Sequence, residues 1–209
     1  MDLKRTLFFQ RSSINQISSY LEIDWVLRYK TQQLSQLVSP IMKTLYLLRH
    51  AKSSPANTIL KDFERPLSER GVKDITTMAK RFKKRHSSVQ TIISSSARRA
   101  KHTATLMAER VGFSAENVVS QPELYLAGVG VFMRVTSLID DSYEAAMLVG
   151  HNPTITEFAN RMTNSSIDSM PTCSLIKMSL PISSWSDVEM GQGISVKFDY
   201  PKNVGDSNV

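Results

Sequence analysis

Two histidines 101 residues apart end apolar runs in the same way: Leu47-Leu48-Arg49-His50 and Leu148-Val149-Gly150-His151. Between them lies Ser94-Ser95-Ser96-Ala97-Arg98-Arg99-Ala100. If the chain brings these stretches together, His50, His151, Arg49 and Arg98 form a pocket with two fixed cations and two imidazoles. Such a pocket suits a phosphoryl group, because guanidinium forks match phosphate oxygens and keep their charge at any accessible pH. A helix beginning near Ala97 would add backbone N–H donors. The cations disfavour a further positive charge on His50, so a neutral ring nitrogen is free to attack phosphorus. His151 would then stabilise charge on the transferring oxygens. The chemistry is covalent phosphoryl transfer through a phosphohistidine.

The elements that must position these groups follow from periodicity. Leu45 to Leu48 read as a strand buried on both faces, which leaves Arg49 and His50 at its carboxyl end. Open α/β sheets bind ligands in the crevice at that end. A loop over 51–67 holds Pro55 and Pro66, and Ser68 caps a helix reaching about residue 85 with Met78, Ala79 and Phe82 inward. Val89 to Ile93 is a second strand, and a helix over 97–111 stops at Gly112. A strand at 118–120, a helix over 129–140, a strand at 145–149, a helix over 154–163 and strands near 173–180 and 194–199 complete the order. This alternation predicts an α/β fold, a three-layer α/β/α sandwich with a mainly parallel sheet.

Composition bounds the rest. The 209 residues carry a net charge of +7, with 41% hydrophobic residues, and no apolar run approaches the roughly 20 residues of a membrane-spanning helix. The bases are scattered rather than interleaved with aromatics, which argues against nucleic acid. Cys173 is the single cysteine, so no intrachain disulfide can form and a reducing, cytoplasmic setting follows. We expect Cys173 to be a small buried residue. Residues 1–41 read as a poorly ordered extension with a helix across 14–38, ahead of a domain over 42–200 and a flexible tail over 201–209. Residues 1–21 are acid-poor apart from Asp2, which gives organelle targeting as the alternative, and Met42 is an alternative start. No metal or other cofactor is expected, because two arginines beside His50, His102 and His151 repel a cation and no ligand pair has close metal-type spacing.

Four stretches together resemble one family. Leu48-Arg49-His50-Ala51-Lys52-Ser53, then Asp62 to Gly71, then Ser96 to Thr105 with Arg98 and Thr103, then Gly150-His151-Asn152-Pro153 are similar in order and spacing to the histidine phosphatase superfamily, short branch, like the SixA phosphohistidine phosphatases. Ala51 stands where that signature has glycine. The resemblance implies a phosphoglycerate mutase-like fold, His50 as nucleophile, and Arg49, Arg98 and His151 around the phosphoryl group. It places Asp62 and Arg65 on the pocket rim, with Arg65 either a phosphate or substrate contact or a salt-bridge partner of Asp62 or Glu64. Glu123 is the candidate general acid, although a phosphohistidine substrate reduces the need for one. His86 is expected to be solvated and His102 to be a structural histidine. The implied activity is that of a metal-independent phosphatase acting on a phosphorylated protein or a small phosphorylated metabolite. The alternative is a catalytically weak phosphate-binding module of the same fold.

Overall fold

The computed structural model describes residues 42–54, 60–85 and 87–203. In chain order the elements are β1 (Lys43–Arg49), α1 (Glu69–Lys84), β2 (Thr91–Ser95), α2 (Arg98–Val111), β3 (Val118–Gln121), α3 (Val129–Ser137), β4 (Ala145–Gly150), α4 (Thr154–Thr163), β5 (Leu175–Leu180) and β6 (Ile194–Asp199). Short 3-10 turns at Asp62–Glu64 and Pro122–Leu124 flank the site described below.

The six strands form one sheet in the order β3-β2-β4-β1-β5-β6. β1, β4, β2 and β3 are mutually parallel, β5 is antiparallel to β1, and β6 is antiparallel to β5. Five strands therefore share one direction, and the mainly parallel α/β/α architecture is as expected. The period of two along β1 explains the layers. Leu45 and Leu47 join α3 and α4 residues such as Phe132 and Phe158 in one core. Tyr46 and Leu48 join Ile75, Met78, Ala79 and Phe82 of α1 and Ala100, Ala104 and Met107 of α2 in the other.

Because the chain passes from β1 over to β2 before returning to β4, β4 is inserted between them. The carboxyl ends of β1, β4 and β2 are thus neighbours, with Arg49 beside Gly150 and Ser94 beside Val149 in register. That insertion joins segments about 50 and 100 residues apart at one sheet edge.

One close approach seats α1 at this edge. Ser68 caps α1 by accepting from the Gly71 N–H at 3.1 Å, and its own hydroxyl donates to the Lys52 carbonyl at 3.0 Å. A Cβ at Gly71 would lie 2.2 Å from that carbonyl oxygen, so only glycine lets α1 seat on the loop after His50. α2 ends at Gly112, whose φ of 87° is left-handed.

Several boundaries differ from the sequence expectation. β2 begins at Thr91 and runs through Ser95. Its buried serines are tolerated because Ser94 donates to the Ser95 carbonyl and the Ser95 hydroxyl meets His151. α3 stops at Ser137, since Leu138 is its exposed C-cap. Cys173 and Ser174 precede β5 instead of opening it, because Cys173 has a φ of 64°. Residues 1–41, with the expected helix over 14–38, and His86 lie outside the described residues, as do 204–209 of the tail.

Candidate active site

The backbone around His50 is held from three sides. Its N–H donates to the Gly150 carbonyl at 3.0 Å, and its carbonyl accepts from the Cys173 N–H at 3.1 Å. The next N–H, of Ala51, donates to Thr103 Oγ1 at 3.0 Å, and Thr103 donates in turn to the Arg99 carbonyl at 2.6 Å. Cys173 is buried as expected, yet its positive φ and its amide show that it positions His50. Ala51 is fully buried in the α1 and α2 core and is not among the residues of positive φ, so alanine fits where the family signature has glycine.

The His50 tautomer follows from its partners. Nδ1 lies 2.8 Å from the Ala51 carbonyl oxygen, which can only accept, so Nδ1 carries the proton and Nε2 keeps its lone pair. The Nε–H of Arg99 points at that Nε2 from 3.4 Å. His151 stands opposite, with ring centroids 5.0 Å apart and planes inclined at 52°. Its Nε2 is 2.8 Å from Ser95 Oγ, and its Nδ1 is buried without a protein partner. The edge of Tyr125 closes over the His151 ring at a centroid distance of 5.7 Å.

The cation from the start of α2 is Arg99, not Arg98. Arg99 is 5% exposed and reaches the pocket, whereas Arg98 is exposed to solvent. The helical face decides this: Arg99 shares with Thr103 and Met107 the four-residue spacing of the buried stripe, while Arg98 lies with exposed Lys101 and His102. Reading that stripe through to its first turn would have selected Arg99. His102 is correspondingly a solvent-exposed residue, not a structural histidine.

Asp62 organises the rim. It accepts from Arg99 Nη1 through its carbonyl at 2.6 Å and from Arg99 Nη2 through Oδ2 at 3.0 Å. Arg65 Nη2 meets Oδ1 at 2.7 Å, and the Tyr125 hydroxyl donates to Oδ2 at 3.0 Å. Of the two readings of Arg65, the ion pair with Asp62 is formed, while the charge of Arg65 is also felt at His50. Arg49 donates through Nη1 to the Met170 carbonyl and leaves its buried Nε unpartnered.

Glu123 makes its hydrogen bonds outside this group. Gln121 Nε2 donates to one of its oxygens at 2.7 Å and Arg134 pairs with the other. Both hold its carboxyl below the usual range, Arg134 more strongly, so it is ionised and engaged elsewhere. Position in the chain makes Glu123 a candidate acid; its pairing with Arg134 of α3 is a contact that position does not reveal.

Burial and charge act together on the imidazoles. Desolvation first, then the charges of Arg99, Arg49 and Arg65, bring His50 down to about 4 despite its bond to Ala51. Desolvation, followed by His50 and Arg99, brings His151 to about 3. Burial opposes ionisation of Asp62, but the Tyr125 hydrogen bond and the Arg99 and Arg65 charges outweigh it and hold the carboxylate below its ordinary value. Two neutral rings thus face each other amid three guanidiniums and one carboxylate, an arrangement with excess positive charge for an anion. Among the described residues no group of three or more His, Cys, Asp or Glu side chains is placed to hold a metal ion. A groove of about 580 Å³ begins at Arg49 and runs along α4 to Asp168 and Ser169.

The chain is similar to known proteins of one family and one fold. The model of the histidine phosphatase superfamily (branch 1) matches residues 45–137. An uncharacterised chloroplastic protein of Arabidopsis thaliana is 31% identical over 155 residues, covering 70% of this chain and 71% of that protein. An uncharacterised protein of Mycobacterium tuberculosis is 26% identical over 164 residues, 74% of this chain and 100% of its own length. Among solved structures, a SixA protein of Agrobacterium tumefaciens, provisionally described as a phosphohistidine phosphatase, is 27% identical with a TM-score of 0.59 over 65% of this chain and 91% of that one. The protein histidine phosphatase SixA in complex with tungstate shares the fold at a TM-score of 0.65 and 18% identity, over 78% of this chain and 99% of that one. With the paired histidines at adjacent strand ends and the matching sequence model, the chain belongs to the histidine phosphatase superfamily.

Proposed function

We propose that this chain is a metal-independent phosphatase that carries the phosphoryl group on His50 and acts on a phosphorylated protein, with phosphohistidine the preferred group, or on a small phosphate ester. Membership of the superfamily supports a phosphatase. The observation that carries the mechanism is the fixed tautomer of His50, whose Nδ1–H is spent on Ala51 while Nε2 stays unprotonated beside Arg99.

In the first step the Nε2 lone pair attacks phosphorus, and the bond from phosphorus to the leaving nitrogen or oxygen breaks with its electron pair. Arg49, Arg99 and Arg65 bind the non-bridging oxygens, and the His151 ring, 5.0 Å from that of His50, stabilises charge on the same group. Arg99 gives up its long contact to Nε2 for a phosphate oxygen. In the second step water attacks phosphorus, the P–Nε2 bond breaks, and the proton of water leaves on inorganic phosphate. A phosphohistidine leaving group departs as an already protonated imidazole, so the engagement of Glu123 by Arg134 is no obstacle. That same engagement favours a second reading for alkyl esters, in which the domain binds the phosphate but turns it over weakly.

Labelled phosphodonor tests the reading. An acid-labile, base-stable adduct is expected on the wild type and not on His50→Ala, with phosphate released from a phosphohistidine peptide. An unchanged adduct on His50→Ala ends the proposal.

Among the described residues no helix is long and apolar enough to cross a membrane. The single cysteine suits the cytoplasm. The chloroplastic description of the Arabidopsis relative favours the organelle alternative. Fractionation of the tagged full chain separates the two.

A further inference from the structure

Next to His151 lies a cavity of about 140 Å³ walled by Leu124, Leu126, Ala127, Phe132 and Pro153. Its lining differs from that of the anion site: these apolar side chains stand beside the uncharged polar Asn152 and Thr154, and no guanidinium among the described residues lines it. Its rim residue is also unusual. Leu126 is 80% exposed and has a φ of 54°, a left-handed backbone that a leucine rarely adopts. Both neighbours are tied down: the Tyr125 hydroxyl donates to Asp62, and the Ala127 carbonyl accepts from Thr154 Oγ1 at 2.6 Å. The anchored flanks hold Leu126 out at the mouth of the cavity, a conformation that persists only when its surroundings impose it.

We propose that this cavity is a subsite for a planar ring attached to the phosphoryl group, and that Leu126 sets the preference for ring-bearing substrates. The volume suits a single ring: a cavity of about 150 Å³ accepts one benzene-sized ring, and the pairing of Leu124, Leu126 and Phe132 with Asn152 and Thr154 suits a flat ring that has an apolar face and a polar edge. The location fits as well, because the cavity shares His151 with the anion site, whose ring is 5.0 Å from that of His50. This rests on the phosphatase reading for its biological meaning, and on the cavity alone for its binding.

The test measures binding to the full chain by calorimetry, with phenylphosphonate as the ring-bearing anion and methylphosphonate as its ringless counterpart. Phenylphosphonate is expected to bind about tenfold more tightly, the worth of burying most of one ring face. Leu126→Ala, which removes the rim, and Ala127→Leu, which fills the cavity, are each expected to shrink that gap to about threefold or less. Equal affinities in the wild type, or a gap intact in both variants, overturn the subsite. Turnover of phenyl phosphate and a ringless phosphoramidate separates the two proposals. Turnover without ring preference defeats the subsite alone. A ring preference in binding with no adduct on His50 upholds the subsite and defeats the phosphatase reading, and failure to bind either phosphonate defeats both.

Discussion

Arg99 Nε lies 3.4 Å from His50 Nε2 while its two terminal nitrogens are held by Asp62. The guanidinium is therefore oriented by Asp62 at one end and aimed by the other at the His50 ring, the proposed nucleophile. Under the proposed function its planar fork meets the phosphoryl group, a geometry that lysine cannot reproduce.

Removing that fork separates the two neighbouring arginines. Arg99→Ala is expected to lower kcat/KM for a phosphohistidine peptide by roughly 100-fold, the usual loss for one donor to a developing oxyanion. Arg98→Ala, at an exposed position, is expected to stay within about twofold, as surface changes do. Steady-state phosphate release on both variants decides it, and a larger loss for Arg98→Ala overturns the assignment.

Protonation gives a second prediction. His50 and His151 sit at about 4 and about 3 in the fold, whereas the unfolded chain has histidines near 6.5. As pH falls below 6.5 the unfolded state takes up protons that the folded state does not, so stability declines with falling pH until the folded values are reached. The loss is on the order of 1 kcal/mol per histidine per pH unit. Urea unfolding between pH 6.5 and 5, above the main carboxylate range, is expected to show this slope, and His50→Gln to reduce it. Imidazole nitrogen shifts are expected to show His50 still neutral and protonated on Nδ1 at pH 5.5.

Glu123 supplies a third. Because Arg134 and Gln121 occupy both of its oxygens, Glu123→Gln is expected to change phosphohistidine turnover by less than about threefold, far below the 10²-fold or more of a lost general acid. Parallel assays with phosphohistidine and an alkyl phosphate check this, and a selective collapse of the ester reaction returns the acid role to Glu123.

Seating of α1 supplies a fourth. A Cβ at Gly71 meets the Lys52 carbonyl at 2.2 Å, and backbone cannot rotate away as a side chain does. Gly71→Ala is expected to cost about 1–3 kcal/mol in stability, in line with overpacked sites. Chemical denaturation measures it, and an unchanged midpoint removes the argument that α1 needs this approach.

The amino-acid order alone determined where the candidate site would gather. Apolar runs ending in His50 and His151 dictate buried strands with reactive ends, because a strand buried on both faces can expose polar groups only where it stops. Periodicity likewise set α1, α2 and α4, and Gly112 set an end. What the order did not determine is which partner each polar side chain takes. Arg98 and Arg99 are equal as residues; the apolar stripe of α2 favours Arg99, and the seating of that stripe on the sheet is what leaves Arg99 buried and Arg98 in water. Glu123 stands at a plausible distance along the chain, but Arg134 captures it across a loop. Asp62, Tyr125, Ser95 and Thr103 orient the site through contacts spanning from about 37 to 63 residues. Hydrogen bonds are short and directional, so their pairing is settled only once the sheet has inserted β4 between β1 and β2 and the helices have turned their apolar faces inward.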